Sequence, residues 1–192
     1  MSKMSMTVAI AAVVALTGVA SAQQKSALTP EAQAALDKAV PKLAAWGKDP
    51  AIVKAVAAQN ALRMTLAQIK ETDAAWMASK NEGRVRELLG NACSARIRAL
   101  VSQSPAYVEA FVMDNQGALV GLNEKTSDYW QGDEAKWQKS YNGGKGQVFV
   151  DKAHYDPSAR AILVQVSVPV LDGAVTIGAV TIGVDTAKLA AR

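Results

Sequence analysis

The sequence predicts an α+β fold: a five-stranded antiparallel sheet with a long N-terminal helical arm. Three observations carry the prediction. Apolar residues recur at helical spacing before Pro105 and at alternate positions after it. Turn signals divide the second half into short segments. Half of the 192 residues are hydrophobic and a fifth are charged, which is enough apolar material for a sizeable core.

The first 22 residues read as an address rather than as fold. Lys3 supplies a positive start, residues 8–16 form an apolar run, and Ala20-Ser21-Ala22 is an A-x-A cleavage site followed by Gln23. The apolar run is short for a membrane span. The expected organisation is a signal peptide over 1–22, a helical arm over 23–104 and a strand-rich core over 105–192. The expected location is periplasmic or secreted, with cleavage after Ala22.

Thr29-Pro30-Glu31 starts the first helix with a cap, a proline at the first helical position and an acid in the first turn. Leu36, Val40 and Leu43 share its face, and Pro41 is expected to kink or interrupt it. Asp49-Pro50 begins a second helix, with a stripe of Ile52, Val56, Leu62, Leu66 and Ile69. Residues 80–83 form a turn. Residues 85–101 then make one more amphipathic helix, ending before Ser104-Pro105.

Beyond Pro105, strands are expected at residues 107–113 and 118–122, joined by the turn Asp114-Asn115-Gln116-Gly117. Residues 126–141 suit a short helix and loop. Three further strands follow at 147–151, 161–171 and 175–184, the last two joined at Asp172-Gly173.

This order resembles the PAS-like layout of extracellular Cache (PDC) sensor domains in their single-domain form. The resemblance rests on VEAFVMDNQGALVGLN as the first hairpin, TSDYWQGDEAKWQKSY as the pocket-forming insertion and VQVSVPVLDGAVTIGAVTIGVD as the closing strands. It implies a ligand-binding sensor module. The chain ends after the last strand, so no transmembrane output module is expected within it. Amino-acid-binding members carry an arginine and a tyrosine at the positions of Ala135 and Trp130. The guanidinium fork that grips a carboxylate is therefore missing. Asp185 matches the acid that closes the family's pocket on an ammonium group.

Four aromatic side chains crowd the insertion: Tyr129, Trp130, Trp137 and Tyr141. Large apolar walls with a few directed polar groups are what a small-molecule pocket needs. Asp133 and Lys136 supply polar groups from the insertion, Gln165 and Ser167 from the strand beneath, and Tyr155 from a loop at the mouth. Trp130 and Trp137, seven apart, share a face if that stretch is helical. If Gln165 and Ser167 face inward the pocket is polar; if Val164, Val166 and Val168 do, it is dry. The expected ligand is a small organic molecule, a short carboxylate contacted by Lys136 being one form of it.

With one histidine and one cysteine the chain excludes HExxH chemistry, a disulfide framework and a Cys-rich zinc site. No nucleophile–base pair or paired-carboxylate motif is visible, so neither enzymatic activity nor a cofactor is expected. His154 reads as a loop residue in solvent and Cys93 as a buried structural thiol. Gly143-Gly144-Lys145-Gly146 lacks a phosphate-loop frame and leads into a strand. A net charge of +4 without a basic stripe argues against nucleic acid. The expected partner is a membrane sensor or receptor, and the N-terminal helices are the expected homodimer surface. The competing reading is a ligand-free protein-interaction or accessory module, in which Asn60, Asp73 and Trp76 would mark a partner-binding helix face.

Overall fold

The computed structural model describes residues 28–156 and 160–191. The segment expected to be a signal peptide, 1–22, lies outside the described residues. Helices α1 (Pro30–Ala44), α2 (Pro50–Ala61), α3 (Leu66–Met77), α4 (Glu82–Gly90) and α5 (Ala92–Val101) make up the arm. Strands β1 (Tyr107–Met113) and β2 (Leu119–Leu122) form the hairpin, and α6 (Ala135–Tyr141) lies in the insertion. Next come β3 (Phe149–Val150), β4 (His154–Asp156), β5 (Ala161–Asp172), β6 (Val175–Asp185) and the short closing helix α7 (Thr186–Ala190).

The strand order is β2-β1-β6-β5-β3, with β4 also paired to β5, and every pairing is antiparallel. The fold is α+β and PAS-like, with the sequence of arm, hairpin, insertion and closing strands that the resemblance implies. Among the described residues the sheet has six strands rather than five. The sixth, β4, carries His154 in the stretch expected to be a loop, and three residues are too few to show a period of two.

Three boundaries in the arm differ from expectation. Pro41 lies in the last turn of α1, which continues to Ala44 before tightening into a 3₁₀ turn at Ala45–Lys48. The ring removes one bond, to the Asp37 carbonyl a turn earlier, without ending the helix. The stripe from Ile52 to Ile69 belongs to two helices, because Thr65 and Gln68 form a capping box that starts α3 afresh. The helix expected over 85–101 is also two. Asn91 ends α4 and caps α5, accepting from Ser94 N–H at 2.8 Å. The predicted caps at Thr29 and Asp49 are present, and Asp49 also pairs with Arg96 at 2.7 Å.

Strand alternation sends two different chemistries to the two faces of the sheet. Val164, Val166, Val168, Val180, Ile182 and Val184 pack with α1, α2 and α5 in the larger core cluster. Phe111, Met113 and Ala179 face the other way. There they join Leu119, Leu122, Tyr129 and Trp76 in a second cluster. Cys93 is buried against the backbone of Gly121, where an added methyl would meet its sulfur at 2.7 Å. Burial pushes its thiol up to about 12, with the Asp49 charge adding to the effect.

The β1–β2 turn is tied by its own acid. The buried Asp114 carboxylate accepts from the N–H groups of Gln116 at 2.8 Å and Ala118 at 3.0 Å. Gly117 occupies the left-handed region at φ 86°, and a side chain there would also strike the backbone of Gly132. Burial holds the Asp114 carboxyl above the ordinary carboxylate range, although the N–H groups of the turn and the Gln59 amide pull it down.

These two buried groups give measurable consequences. An aromatic disulfide reagent at about pH 8 should leave native Cys93 unmodified and label it once the chain is unfolded, because the thiolate is the reactive form. Asp114→Ala should destabilise by about 1–3 kcal/mol, leaving two turn N–H groups unpaired, whereas Asp114→Asn keeps an acceptor. The folded carboxyl binds its proton more tightly than the unfolded one. Wild type should therefore lose stability relative to Asp114→Asn as pH rises through the window just above the ordinary carboxylate value. Denaturant titrations at stepped pH measure this difference.

Candidate functional site

The face of the sheet opposite α1, α2 and α5 carries a polar strip. Cross-strand pairing places Phe111, Thr181, Ser167 and Phe149 side by side on β1, β6, β5 and β3. The next row outward is Glu109, Gly183 and Gln165. Helix α6 packs over β5 and β6 above this floor. The Ser167 and Thr181 hydroxyls, both fully buried, share a hydrogen bond of 2.8 Å. Gln165 Nε2 donates to Glu109 Oε1 at 2.9 Å, and both side chains are half-buried.

Lys136 hangs from α6 with its Nζ 5.1 Å from the Phe111 ring centre and 2.9 Å from Glu134. Its side chain is only 12% exposed, so this cation sits beside the floor with its charge already matched. Lys139 stands over Phe149 at 4.5 Å. Ser140, one turn beyond Lys136, is fully buried and its hydroxyl has no partner among the described residues; the same holds for Gln131 Oε1 on the loop before the helix. Buried polar atoms normally find a partner, so both have bonding capacity for a bound molecule or water.

Gln165 and Ser167 therefore face the insertion while the valines face the arm. The two alternatives posed by the sequence coexist, because helices cover the sheet on both sides. Trp137 is on α6, stacked on Tyr141 with ring centres 5.1 Å apart, and donates its Nε1–H to the Asp114 carbonyl at 2.9 Å. Trp130 precedes the helix, so the two tryptophans share no helix face. Instead Trp130 continues the hairpin beside Ala118, donates to the Gln116 carbonyl at 2.8 Å and lies under Lys70. Tyr129 is fully buried against Trp76, its hydroxyl taken by Gln59 and Arg84. Asp133 is exposed on the loop.

Two residues expected at the site stand away from it. Tyr155 pairs opposite Ile162 and so points to the arm side of the sheet. Asp185 is buried with both oxygens engaged: one caps α7 at Lys188 N–H, the other pairs with Lys188 Nζ, each at 3.0 Å. Asn60 and Asp73 are packing residues. Asn60 bridges the Ile177 carbonyl and the Asn115 N–H, while Asp73 accepts from the N–H groups of Tyr129 and Trp130.

Sequence reasoning missed Glu109, Thr181, Ser140 and Gln131. Glu109 had a signal: it is the one charge within YVEAFVM and shares a face with Phe111, two residues on. The pairing of Ser167 with Thr181 could not be counted from the Asp172-Gly173 turn, because a bulge at Val170/Leu171 shifts the register.

No family model matches the chain, and no curated protein matches it. Among solved structures, the chain is similar to the sensor domain of the V. cholerae histidine kinase DctB, at 15% identity and a TM-score of 0.38 over 82% of this chain and 53% of that one. It is similar to the ligand-binding domain of the Campylobacter jejuni chemoreceptor Tlp3 in complex with 4-methylisoleucine, at 12% identity and a TM-score of 0.42 over 84% and 62%. A third is the ligand-binding domain of the Pseudomonas aeruginosa chemoreceptor PctC in complex with GABA, at 13% identity and 0.42 over 62% and 61%. The chain thus spans between 53% and 62% of the length of these structures.

Replacing only one member of the buried hydroxyl pair should strand the other. Ser167→Ala or Thr181→Val alone should each cost about 1–3 kcal/mol, while the double variant should cost less than the two added together. A double-mutant cycle by denaturant unfolding reads the coupling.

Proposed function

We propose that this chain is an exported sensor-type module that binds a small organic molecule on the polar floor beneath α6, and that a membrane sensor or receptor reads its bound state. One observation carries the reading. The floor combines half-buried directed polar groups, Gln165 and Glu109, with aromatic rims at Phe111 and Phe149 and an unpartnered buried hydroxyl at Ser140 above it. That combination of apolar walls and a few fixed polar groups suits a small ligand. The polar groups of the floor hydrogen-bond in pairs rather than forming a nucleophile–base arrangement, so the site reads as binding rather than catalytic.

Export rests on the signal-like first 22 residues, and no described helix is long and apolar enough to cross a membrane. The Lys136 charge is matched by Glu134, so Lys139, over Phe149 and without an ion pair among the described residues, is the cation nearer to hand for a short carboxylate.

Thermal shift of the purified chain against a metabolite panel tests the site. A ligand present at a hundred times its dissociation constant should stabilise the fold by about 2.7 kcal/mol. Gln165→Leu should abolish that shift while the variant still unfolds cooperatively, and Asp133→Ala, on the exposed loop, should leave it intact. Hits that survive Gln165→Leu would place binding elsewhere.

A further inference from the structure

A second cavity lies across the sheet from the polar floor. Its volume is about 720 Å³, and it opens between α1, α7 and the stretch that joins α5 to β1. That size suits a small molecule. Trp46 and Tyr107 line it, packed edge to face with ring centres 5.6 Å apart. Trp46 belongs to the core cluster on the valine face of the sheet, and Tyr107 and Leu189 pack against that cluster. Leu189 supplies an apolar wall from α7. On the α1 side the wall is made by Ala35 and Ala39, where larger side chains would close the space.

The charge lining this cavity is mainly positive. Lys38 and Lys42 both line it, and at four residues apart on α1 they rise on one face. Neither forms an ion pair among the described residues. The acid beside Lys38, Asp37, is instead bonded by Gln33 Nε2 at 2.9 Å. Glu31 is the one acid in the lining, and it stands two turns before Lys38, about 10 Å along the helix axis. The Ser104 hydroxyl, also in the lining, is only 6% exposed. It accepts from the Ala106 N–H at 3.2 Å and donates in no hydrogen bond among the described residues. Apolar walls beneath two uncommitted cations match a molecule with an apolar body and an anionic head.

We propose that this cavity is a second binding site, separate from the floor beneath α6, and that its ligand is an amphipathic organic anion, a carboxylate carrying an apolar tail. The tail lies between Ala35 and Leu189 against the Trp46 ring. The carboxylate accepts charge-assisted hydrogen bonds from Lys38 Nζ and Lys42 Nζ. These lysines are one helical turn apart, about 6 Å along the axis, so both long side chains reach one carboxylate. A cationic head meets like charge at the same place, and an anion without a tail leaves the apolar walls in water.

The test is titration calorimetry of the purified chain with octanoate, and with octylamine, octanol and acetate as probes that each lack one feature. Octanoate should bind wild type, more weakly as salt is raised, and each of the others at least about tenfold more weakly. The double variant Lys38→Gln/Lys42→Gln changes only exposed side chains and should keep the wild-type melting temperature. It should bind octanoate at least about tenfold more weakly and octanol as wild type does. Ala35→Trp, which fills the cavity, should abolish octanoate binding. Gln165→Leu, across the sheet, should leave it intact, so the two sites are read separately. Equal octanoate binding by wild type and the double lysine variant overturns the proposal, as does binding that survives Ala35→Trp or is lost in Gln165→Leu. Absence of octanoate binding to wild type also overturns it. In that case a doubled mass in light scattering would assign this face to a second copy of the chain, and sedimentation with phosphatidylglycerol vesicles would assign it to an anionic lipid surface.

Discussion

The turn between β1 and β2 is the point at which arm, insertion and sheet are joined. Asp114 closes it through two backbone N–H groups. Its carbonyl and that of Gln116 receive the indole N–H groups of Trp137 and Trp130. From the arm, Asn60 accepts the Asn115 N–H, and Gln116 reaches back to the Met64 carbonyl at 2.7 Å. A four-residue turn thus holds α2 on one side and the insertion on the other. Gly117 and Gly132 let the two backbones touch there, and a side chain on either would force them apart. The position of α6 above the floor follows from this anchoring.

The second constraint is that the sheet is buried on both faces. An antiparallel sheet often keeps one face for water, and then alternation sorts apolar from polar. Here the valine face of β5 and β6 is closed by the arm, and the face bearing Ser167, Thr181 and Gln165 is closed by α6. Polar groups on a covered face must be satisfied within the protein or by a guest. Ser167 and Thr181 satisfy each other, Gln165 satisfies half of Glu109, and Ser140 is left over. The candidate site lies where this internal accounting fails to close.

The aromatic cluster of the insertion has a different use from the one its composition suggests. Tyr129 is core, Trp130 and Trp137 are hydrogen-bonded struts on the hairpin turn, and Lys70 covers one of the rings. A run of aromatic residues in sequence says that large side chains are needed nearby. It does not say whether they wall a pocket or brace a turn, because both tasks call for rigid rings with a polar edge.

The amino-acid sequence by itself determined the change of period at Pro105, the positions of the longer strands, the caps at Thr29 and Asp49 and the Asp114–Gly117 turn. Each of these depends on local side-chain chemistry acting within a few residues. The helix breaks at Thr65 and Asn91 were also local, but their polar caps lie within continuous apolar stripes that mask them. Only the tertiary structure decided that Tyr155 faces the arm and that Glu109 lies beside Gln165 with no ion pair among the described residues, whereas the engagement of Asp185 by Lys188, three residues on, is as local as the other caps. The Glu109–Gln165 contact joins residues 56 apart in the chain, and it depends on strand register and on irregularities such as those at Tyr107/Glu109 and Val170/Leu171. A one-residue shift in register turns every side chain of a strand to the opposite face, so the chemistry of the floor exists only once the pairing is set.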